Sequence, residues 1–439
     1  MTNSKNITKD STRRDFIKGT AVAVGTGLLA GSLPVGAAAF PAGSDEIKIA
    51  LIGCGGRGTG AASDALSTGK GIKLVAMADA FEDRVSKSHE VLLAKYGKDQ
   101  VDVPEKRRYV GFDAYKQAFE HADVVFLATP PAFRPQHFRE AVEGNKHVFL
   151  EKPVAVDPAG VRHVIESGEM AKKKGLSVVA GTLYRRQSNF VEAIGQIHQG
   201  AIGQILGGSE YYMTGPIWVK PRTAGMTDME YQMRNWYYFN WLSGDHIVEQ
   251  FIHNLDVINW IMKSHPIKAL ATGGRIQRTA PEYGHIYDHF SVEFVYPGNV
   301  LVQATSRQMR NVKMHKANRI IGSEGIAYVN PRESWFEDFN NKRTKHIPKD
   351  EEENAYVTEH VDLMKSIREG KPLNEATEVA HSTLTGILGR ESAYTGKELT
   401  WDEVYQADLD IVPKEFSWDT KLPKWEVPVP GLTDLVRNI

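Results

Sequence analysis

A glycine-rich turn early in the chain restricts the possible fold more than any other feature. Gly53, Gly55 and Gly58 have the spacing Gly-x-Gly-x-x-Gly, after an apolar run at 47–52 and before a helical pattern at 57–66. The first glycine permits a tight turn, the second lets the backbone approach a pyrophosphate, and the third lets helix and strand pack closely. A helix N-terminus also attracts anions. The turn therefore predicts a dinucleotide site formed by Gly53, Gly55, Gly56, Arg57 and Gly58.

A carboxylate follows the next predicted strand. Asp79 ends the apolar run at 73–78, about 20 residues beyond the turn, where an acidic side chain accepts the ribose hydroxyls of a dinucleotide. No arginine directly follows Asp79. Because a carboxylate repels a 2′-phosphate, we predict NAD as the cofactor in preference to NADP.

Short apolar runs alternate with helical patterns over the first part of the chain. Strands are predicted at 47–52, 73–78, 123–128, 148–150 and 176–179, and helices at 84–96, 135–144 and 158–174. Such alternation is typical of a doubly wound parallel sheet, here a Rossmann domain at 45–165.

The pattern changes after residue 181. Longer strands are predicted at 206–213, 269–277, 289–296, 300–307 and 326–329, and late helices at 360–369 and 377–394. These lengths favour a large, mostly antiparallel sheet. The fold class is therefore α/β, with a second α/β domain at 166–439.

Polar residues follow two strands of the predicted parallel sheet. Thr129 and Pro130 end one strand, and Glu151 and Lys152 end the next. Ligands bind beyond the carboxyl ends of such strands, so all four are predicted at the cofactor site. A lysine held there can hydrogen-bond a substrate hydroxyl and ease its deprotonation. A solvated surface lysine is the alternative.

A second group of polar residues lies in 243–260, which the pattern predicts as one helix. At 100° per residue, His246, Glu249, His253 and Asp256 fall within one arc, opposite an apolar side. His253 can accept a hydroxyl proton near neutral pH, and a carboxylate one turn away can orient it or bind substrate. Buried polar groups of a core or interface, or a zinc site, would also fit this spacing. We predict no metal.

An aromatic cluster precedes this helix. It contains Trp236, Tyr237, Tyr238, Phe239 and Trp241. Flat aromatic faces bind the C–H faces of sugars. We therefore predict a contact between Trp236 and substrate, with a core or dimer interface as the alternative.

The N-terminal residues 1–39 have the pattern of a twin-arginine signal peptide. Arg13 and Arg14 precede a weakly apolar run and a small-residue cleavage site, which predicts export of a folded protein, to the periplasm or beyond. No later stretch is apolar and long enough to span a membrane. The balance of 53 basic against 54 acidic residues argues against nucleic acid as a partner.

Together, the glycine turn, Asp79, the Thr-Pro loop, Glu-Lys-Pro and the histidine helix resemble the Gfo/Idh/MocA oxidoreductase family. The resemblance implies a Rossmann domain and a C-terminal domain whose open sheet binds substrate and often forms the interface of a homo-oligomer, here a dimer or tetramer. It implies Lys152 and His253 as catalytic residues. Glu249 stands where the family usually has aspartate. The implied substrate-binding residues, with those argued above, are Glu249, His246, Tyr184, Arg186 and Trp236.

The resemblance implies hydride transfer between a sugar or polyol carbon and nicotinamide. An exported enzyme would lack a free pool of NAD(H), so we expect a tightly retained cofactor that is regenerated in place. The first alternative is an NAD-dependent glycosidase that works by transient C3 oxidation, elimination and water addition. The Thr-His-Gly pattern of such enzymes is missing from the sequence. A sugar-binding protein without turnover is the second alternative.

Overall fold

The computed structural model describes residues 46–423 and 426–437. The predicted signal peptide at 1–39 lies outside the described residues. Across the part of the chain that is described, no helix has the length and apolar character needed to span a membrane.

The first part of the described chain forms a six-stranded sheet with helices between its strands. Its elements are β1 (Ile47–Ile52), α1 (Gly56–Ser67), β2 (Ile72–Asp79), α2 (Glu82–Gln100), β3 (Arg108–Val110), α3 (Ala114–Phe119), β4 (Val124–Leu127), α4 (Arg134–Glu143), β5 (His147–Leu150), α5 (Pro158–Lys173) and β6 (Val178–Ala180). The order is β3-β2-β1-β4-β5-β6, with every pair parallel. The predicted doubly wound sheet is confirmed.

The second part is built on a nine-stranded sheet. Its elements are α6 (Ser188–His198), β7 (Ile205–Thr214), α7 (Asp228–Arg234), α8 (Asn240–Ser243), α9 (Asp245–Glu249), α10 (Ile252–Met262), β8 (Lys268–Gly274), β9 (His289–Tyr296), β10 (Val300–Gln308), β11 (His315–Gly322), β12 (Ile326–Val329), β13 (Glu333–Glu337), β14 (Arg343–Pro348), α11 (Ala355–Arg368), α12 (Ala376–Thr395), β15 (Leu399–Thr400) and α13 (Trp401–Gln406). The order is β14-β13-β12-β11-β7-β10-β9-β8-β15. Only β7 and β10 pair in parallel among these strands, so the prediction of a mostly antiparallel sheet is confirmed.

Short 3₁₀ helices complete the backbone description. They lie at Glu105–Arg107, Pro131–Phe133, Leu183–Arg186, Trp236–Tyr238, Pro281–Tyr283 and Pro297–Asn299.

Local sequence explains why the first sheet forms. All four residues of β4 are buried, as expected for a strand with helices on both faces. The helix α5 begins after Asp157, whose carboxylate accepts a hydrogen bond from the Gly160 N–H at 2.7 Å, and Pro158 occupies its first turn.

The late helix α11 returns to the first sheet. Its Leu363 and Met364 belong to the same buried apolar cluster as Ile49 and Phe126 of that sheet. The strand β6 also extends this sheet beyond residue 165, the predicted end of the first domain. The C-terminal part of the chain therefore completes the packing of the N-terminal sheet.

The prediction of one helix at 243–260 is wrong, because the backbone breaks at two places. Gly244 and Asp245 take positive φ angles of 78° and 71° between α8 and α9, where the buried Asp245 carboxylate accepts from the Tyr287 N–H at 2.8 Å. The second break follows Glu249. Its carbonyl oxygen accepts from Lys152 Nζ at 2.6 Å, while the His253 N–H points to the Gln250 carbonyl.

Candidate active site

One large cavity opens at the carboxyl end of the parallel sheet. Its volume is about 800 Å³, and its walls come from the glycine turn, from α9 and α10, and from β7 and β11. It is lined by most of the residues predicted from the sequence, which are Gly53, Gly55, Gly56, Arg57, Gly58, Asp79, Thr129, Pro130, Glu151, Lys152, Tyr184, Trp236, Glu249 and His253. Two further predicted residues, His246 and Arg186, do not reach it.

The glycine turn has the geometry that its sequence predicts. Gly53 has a φ of +93°, and a Cβ there would lie 2.6 Å from the Thr129 nitrogen. A Cβ on Gly58 would lie 1.9 Å from the Gly53 oxygen, so α1 packs directly on the turn. A Cβ on Gly55 would instead meet nothing within 4 Å. The open space above Gly55 and the N-terminus of α1 fits a pyrophosphate.

Asp79 connects this turn to the end of β2. Its carboxylate accepts from the Cys54 N–H at 2.7 Å and from the Phe81 N–H at 3.0 Å, one bond to each oxygen. Burial raises the pKa of Asp79, which these two backbone bonds partly offset. Each oxygen can accept a further bond, so the side chain fits the two hydroxyls of a ribose.

Arg57 and Glu151 form an ion pair at the cavity wall. Arg57 Nε lies 2.8 Å from Glu151 Oε1. Burial acts to lower the pKa of Arg57, but the charges of Glu151 and Glu359 outweigh it and raise the value. A Cβ at Gly181 would lie 2.8 Å from the Glu151 carboxylate, so that glycine makes room for the pair.

Lys152 is held by Glu249 from the facing element. Besides the Glu249 carbonyl at 2.6 Å, Lys152 Nζ donates to Glu249 Oε1 at 3.1 Å. Glu249 Oε2 accepts from the Gln250 side chain at 2.7 Å, and Gln250 in turn accepts from the Tyr212 hydroxyl at 2.8 Å. This chain of bonds orients the lysine at the cavity wall.

His253 faces the same cavity from the first turn of α10. Its pKa is lowered well below the ordinary value, first by burial and then by the positive charges of Lys152, Lys316 and Arg57. Its ring lies 5.5 Å from the ring of Tyr184. The imidazole is therefore neutral near pH 7 and can accept a proton.

The break separates His246 from His253, whereas Asp256 lies on α10 with His253 and borders a small second pocket beside it. His246 is fully buried, and its ring nitrogens contact Asp245, the Tyr287 carbonyl and the Ser306 hydroxyl. Asp256 accepts two bonds from Arg185, at 2.8 and 2.9 Å. The alternative of buried core polars fits both residues. The described residues contain no group of three or more potential metal ligands.

Arg186 is also directed away from the cavity. Its guanidinium pairs with Glu375 at 2.5 Å and with Asp362 at 3.2 Å. Tyr184, two residues earlier, lines the cavity and stacks on Phe190 with a centroid distance of 4.3 Å. Trp236 lies beside Trp218, which is 41% exposed, with 6.1 Å between their centroids.

Three residues of the cavity were missed by sequence reasoning. Arg134 donates to the Thr129 carbonyl at 2.6 Å and to the Pro153 carbonyl, and burial lowers its pKa to about 10. His137 lies within 3.4 Å of the Thr129 hydroxyl, and burial lowers its pKa to about 3. Both residues follow the Thr-Pro loop closely in sequence, and this position is the signal that could have identified them. Lys316 lies on β11, a strand that was not predicted.

Family models match both parts of the chain. The model for the Gfo/Idh/MocA oxidoreductase family, described as an NAD-binding Rossmann fold, matches residues 47–182. A model for the Gfo/Idh/MocA C-terminal domain matches residues 190–328.

Curated relatives match over shorter stretches. The chain is 29% identical over 167 residues to a glycosyl hydrolase family 109 protein of Porphyromonas gingivalis, which is 37% of this chain and 33% of that protein. It is 24% identical over 179 residues to the 2,7-anhydro-N-acetylneuraminate hydratase of Escherichia coli, covering 41% of this chain and 44% of that protein. The chain therefore matches less than half the length of each.

Solved structures share the fold over most of the chain. An aldose-aldose oxidoreductase from Caulobacter crescentus matches with a TM-score of 0.64 and 18% identity, covering 81% of this chain and 99% of that one. A WlbA dehydrogenase from Bordetella pertussis, in complex with NADH and UDP-GlcNAcA, matches with a TM-score of 0.60 and 17% identity, covering 81% of this chain and 98% of that one.

Proposed function

Because the chain belongs to the Gfo/Idh/MocA oxidoreductase family, we propose that it transfers hydride between NAD and a hydroxyl-bearing carbon of a sugar or polyol. The observation that carries this proposal is the placement of Lys152 and His253 in one cavity with the glycine turn and Asp79. The names of the relatives and structural neighbours support a carbohydrate substrate.

The described residues suit a proton transfer coupled to that redox step. When bound, NAD would accept or return the hydride. Lys152, held by two oxygens of Glu249, can donate a hydrogen bond to the reacting oxygen and stabilise its developing charge. His253 is neutral and can take the hydroxyl proton. Trp236 offers an aromatic face to the sugar ring.

We propose NAD rather than NADP on the basis of the Asp79 carboxylate, which would repel a 2′-phosphate. Export through the twin-arginine signal at 1–39 is also part of the proposal. An exported enzyme would need to keep its dinucleotide and to complete its redox cycle on one bound molecule.

We further propose a homo-oligomer that pairs through the open face of the nine-stranded sheet. Leu206, Leu270 and Leu301 lie on β7, β8 and β10 and are 54%, 50% and 45% exposed. The strands β7 and β10 are neighbours and β9 separates β10 from β8, and apolar side chains exposed on one sheet are typical of an interface. Light scattering after gel filtration tests this, and a monomeric mass would contradict it.

A glycosidase with catalytic NAD is the second candidate. The observation in its favour is that several curated relatives are named as glycosyl hydrolase family 109 proteins. The same Lys152 and His253 could serve transient oxidation of a sugar hydroxyl, followed by elimination and water addition.

The decisive experiment begins with the exported form of the purified protein. Denaturation should release NAD in near-stoichiometric amount, and NADP should be a minor component. Incubation with free sugars and with aryl glycosides then separates the candidates, because an oxidoreductase reduces the cofactor whereas a glycosidase releases the aglycone without net reduction.

Variants of the proposed catalytic residues complete this test. Lys152→Met and His253→Asn should each remove the activity while leaving bound NAD at the wild-type level. Lys106→Met and His346→Asn change exposed residues of the same types and should retain activity. Release of no dinucleotide would contradict a retained cofactor, and full activity of K152M or H253N would contradict the assigned roles.

A further inference from the structure

The cavity carries an excess of positive charge. Seven lysine and arginine side chains line it, against three carboxylates, Asp79, Glu151 and Glu249. A bound dinucleotide brings two negative phosphates, but these would lie at the glycine turn. The phosphates would therefore not neutralise the positive charges in the part of the cavity around Lys152 and His253.

Lys316 is exposed and has no carboxylate partner among the described residues, whereas Arg134, the other cation there without one, donates to the Thr129 and Pro153 carbonyls. Its ammonium lies 4.5 Å from the centroid of the Tyr212 ring on the adjacent strand, a cation–π contact. Burial by the surrounding protein and the positive charge of Lys152 both lower the pKa of Lys316. By contrast, Arg57 pairs with Glu151, and Lys152 pairs with Glu249.

The nearby polar groups cannot neutralise Lys316. Glu249 is already bonded to Lys152 and Gln250, and the Tyr212 hydroxyl is bonded to Gln250. His253 is itself affected by the positive charge of Lys316. A lysine that faces two other basic groups in a cavity is stabilised when a ligand supplies a negative charge.

We propose that Lys316 binds a carboxylate of the substrate, so that the substrate class is an acidic sugar of the uronic acid type. This inference rests on the proposed function, because it places the reacting hydroxyl at Lys152 and His253. One free ammonium matches the single charge of a carboxylate. A dianionic phosphate would leave one negative charge unpaired in a cavity that also contains the Glu249 carboxylate.

Calorimetric titration of the NAD-loaded protein tests the inference with matched sugars. D-glucuronate is compared with D-glucose, and D-galacturonate with D-galactose, because each pair differs only at C6. Wild-type protein should bind at least one acid about tenfold more tightly than its neutral counterpart, as expected for a charge-assisted hydrogen bond. Glucose 6-phosphate should bind more weakly than that acid.

Variants assign the preference to this lysine. Lys316→Met should remove it, weakening acid binding about tenfold while neutral binding changes less than about twofold. Lys316→Arg keeps the charge and should retain most of it. Lys313→Met, an exposed lysine just before β11 that does not line the cavity, is the matched control and should behave as wild type.

The inference is overturned if neutral sugars bind as tightly as the acids, if no acid binds, if the phosphate binds best, or if K316M retains the preference in a folded protein. Cofactor reduction is read separately by absorbance. Acid binding through Lys316 without hydride transfer would contradict the proposed function and support this inference. Turnover of neutral sugars in preference to the acids, with acid binding unchanged in K316M, would support the proposed function and contradict this inference.

Discussion

The contacts of Glu249 define its role at the level of single residues. Its carboxylate bonds to Lys152 and Gln250, and its backbone carbonyl bonds to Lys152 as well. The sequence predicted a substrate contact for this residue, and that contact remains a prediction. The bonds to Lys152 show that Glu249 positions the lysine.

Glu249→Gln should therefore lower kcat about 10- to 100-fold, because it replaces a charge-assisted bond to Lys152 with a neutral one. NAD content should be unchanged, since Glu249 bonds to Lys152 and Gln250 and not to the glycine turn or Asp79. Glu249→Asp keeps the charge and should recover part of the rate. Steady-state kinetics with thermal unfolding as a folding check measures this, and an unchanged kcat in E249Q would contradict it.

The pH dependence should reflect His253. Burial and then the charges of Lys152, Lys316 and Arg57 lower its pKa. Its neutral, proton-accepting form thus persists below the ordinary histidine pKa of about 6.5. The acidic limb of kcat/KM should lie below that pH.

Lys316→Met removes one of these positive charges. The pKa of His253 should rise, because protonation becomes less unfavourable, and the acidic limb should move to higher pH. Profiles of kcat/KM for wild type, K316M and K313M measure the shift. An unchanged limb in K316M, or a shift to lower pH, would contradict the assignment of the limb to His253.

At the level of elements, the strand–turn–helix unit was predictable because its determinants are local. Gly53 requires positive φ, and Gly58 must lack a side chain for α1 to approach the turn. The strands β1, β9 and β12 were predicted with the observed limits, since each is a distinct apolar or alternating run. Such patterns depend on neighbouring residues in sequence.

The break at 244–251 and the strand β11 could not be predicted in this way. The break depends on Lys152 and Tyr287, which are distant in sequence from the helix that they interrupt. The strand β11 begins with the exposed residues His315 and Lys316, which hide its alternation. Two of the predicted site residues, His246 and Arg186, lie away from the cavity for the same reason, because tertiary contacts decide the direction of their side chains.

Two alanine variants distinguish the roles of glycines in the turn. Gly58→Ala should destabilise the protein, because its Cβ would overlap the Gly53 oxygen at 1.9 Å. Gly55→Ala should leave the unfolding temperature of the NAD-free protein unchanged, since its Cβ meets nothing within 4 Å. It should still weaken NAD binding, about tenfold, by entering the space left for the pyrophosphate. Thermal unfolding and NAD titration measure both, and tight NAD binding by G55A would contradict the predicted position of the pyrophosphate.

At the level of the whole molecule, the C-terminal segment returns to the edge of the cofactor cavity. Trp418 packs on Phe112 and Phe81, with centroid distances of 4.7 and 5.1 Å. Phe416 packs on Phe133 at 4.8 Å. Phe81, Phe112 and Phe133 all line the cavity. Residues more than 280 positions apart in sequence thus form one wall, which no local pattern could predict.

This arrangement predicts that the C-terminal segment slows the release of the dinucleotide. Trp418→Ala should speed NAD dissociation about tenfold, because Phe81 and Phe112 lose the ring that holds them against the cavity. Trp335→Ala removes a partly buried tryptophan that stacks on Tyr328 in the second sheet, away from the cavity, and is the matched control. Dissociation is followed by diluting NAD-loaded protein into a scavenging dehydrogenase. Equal release from W418A and W335A would contradict a role for the segment. Faster release from W418A alone would mean that cofactor retention depends on the last part of the chain as well as on the glycine turn near its start.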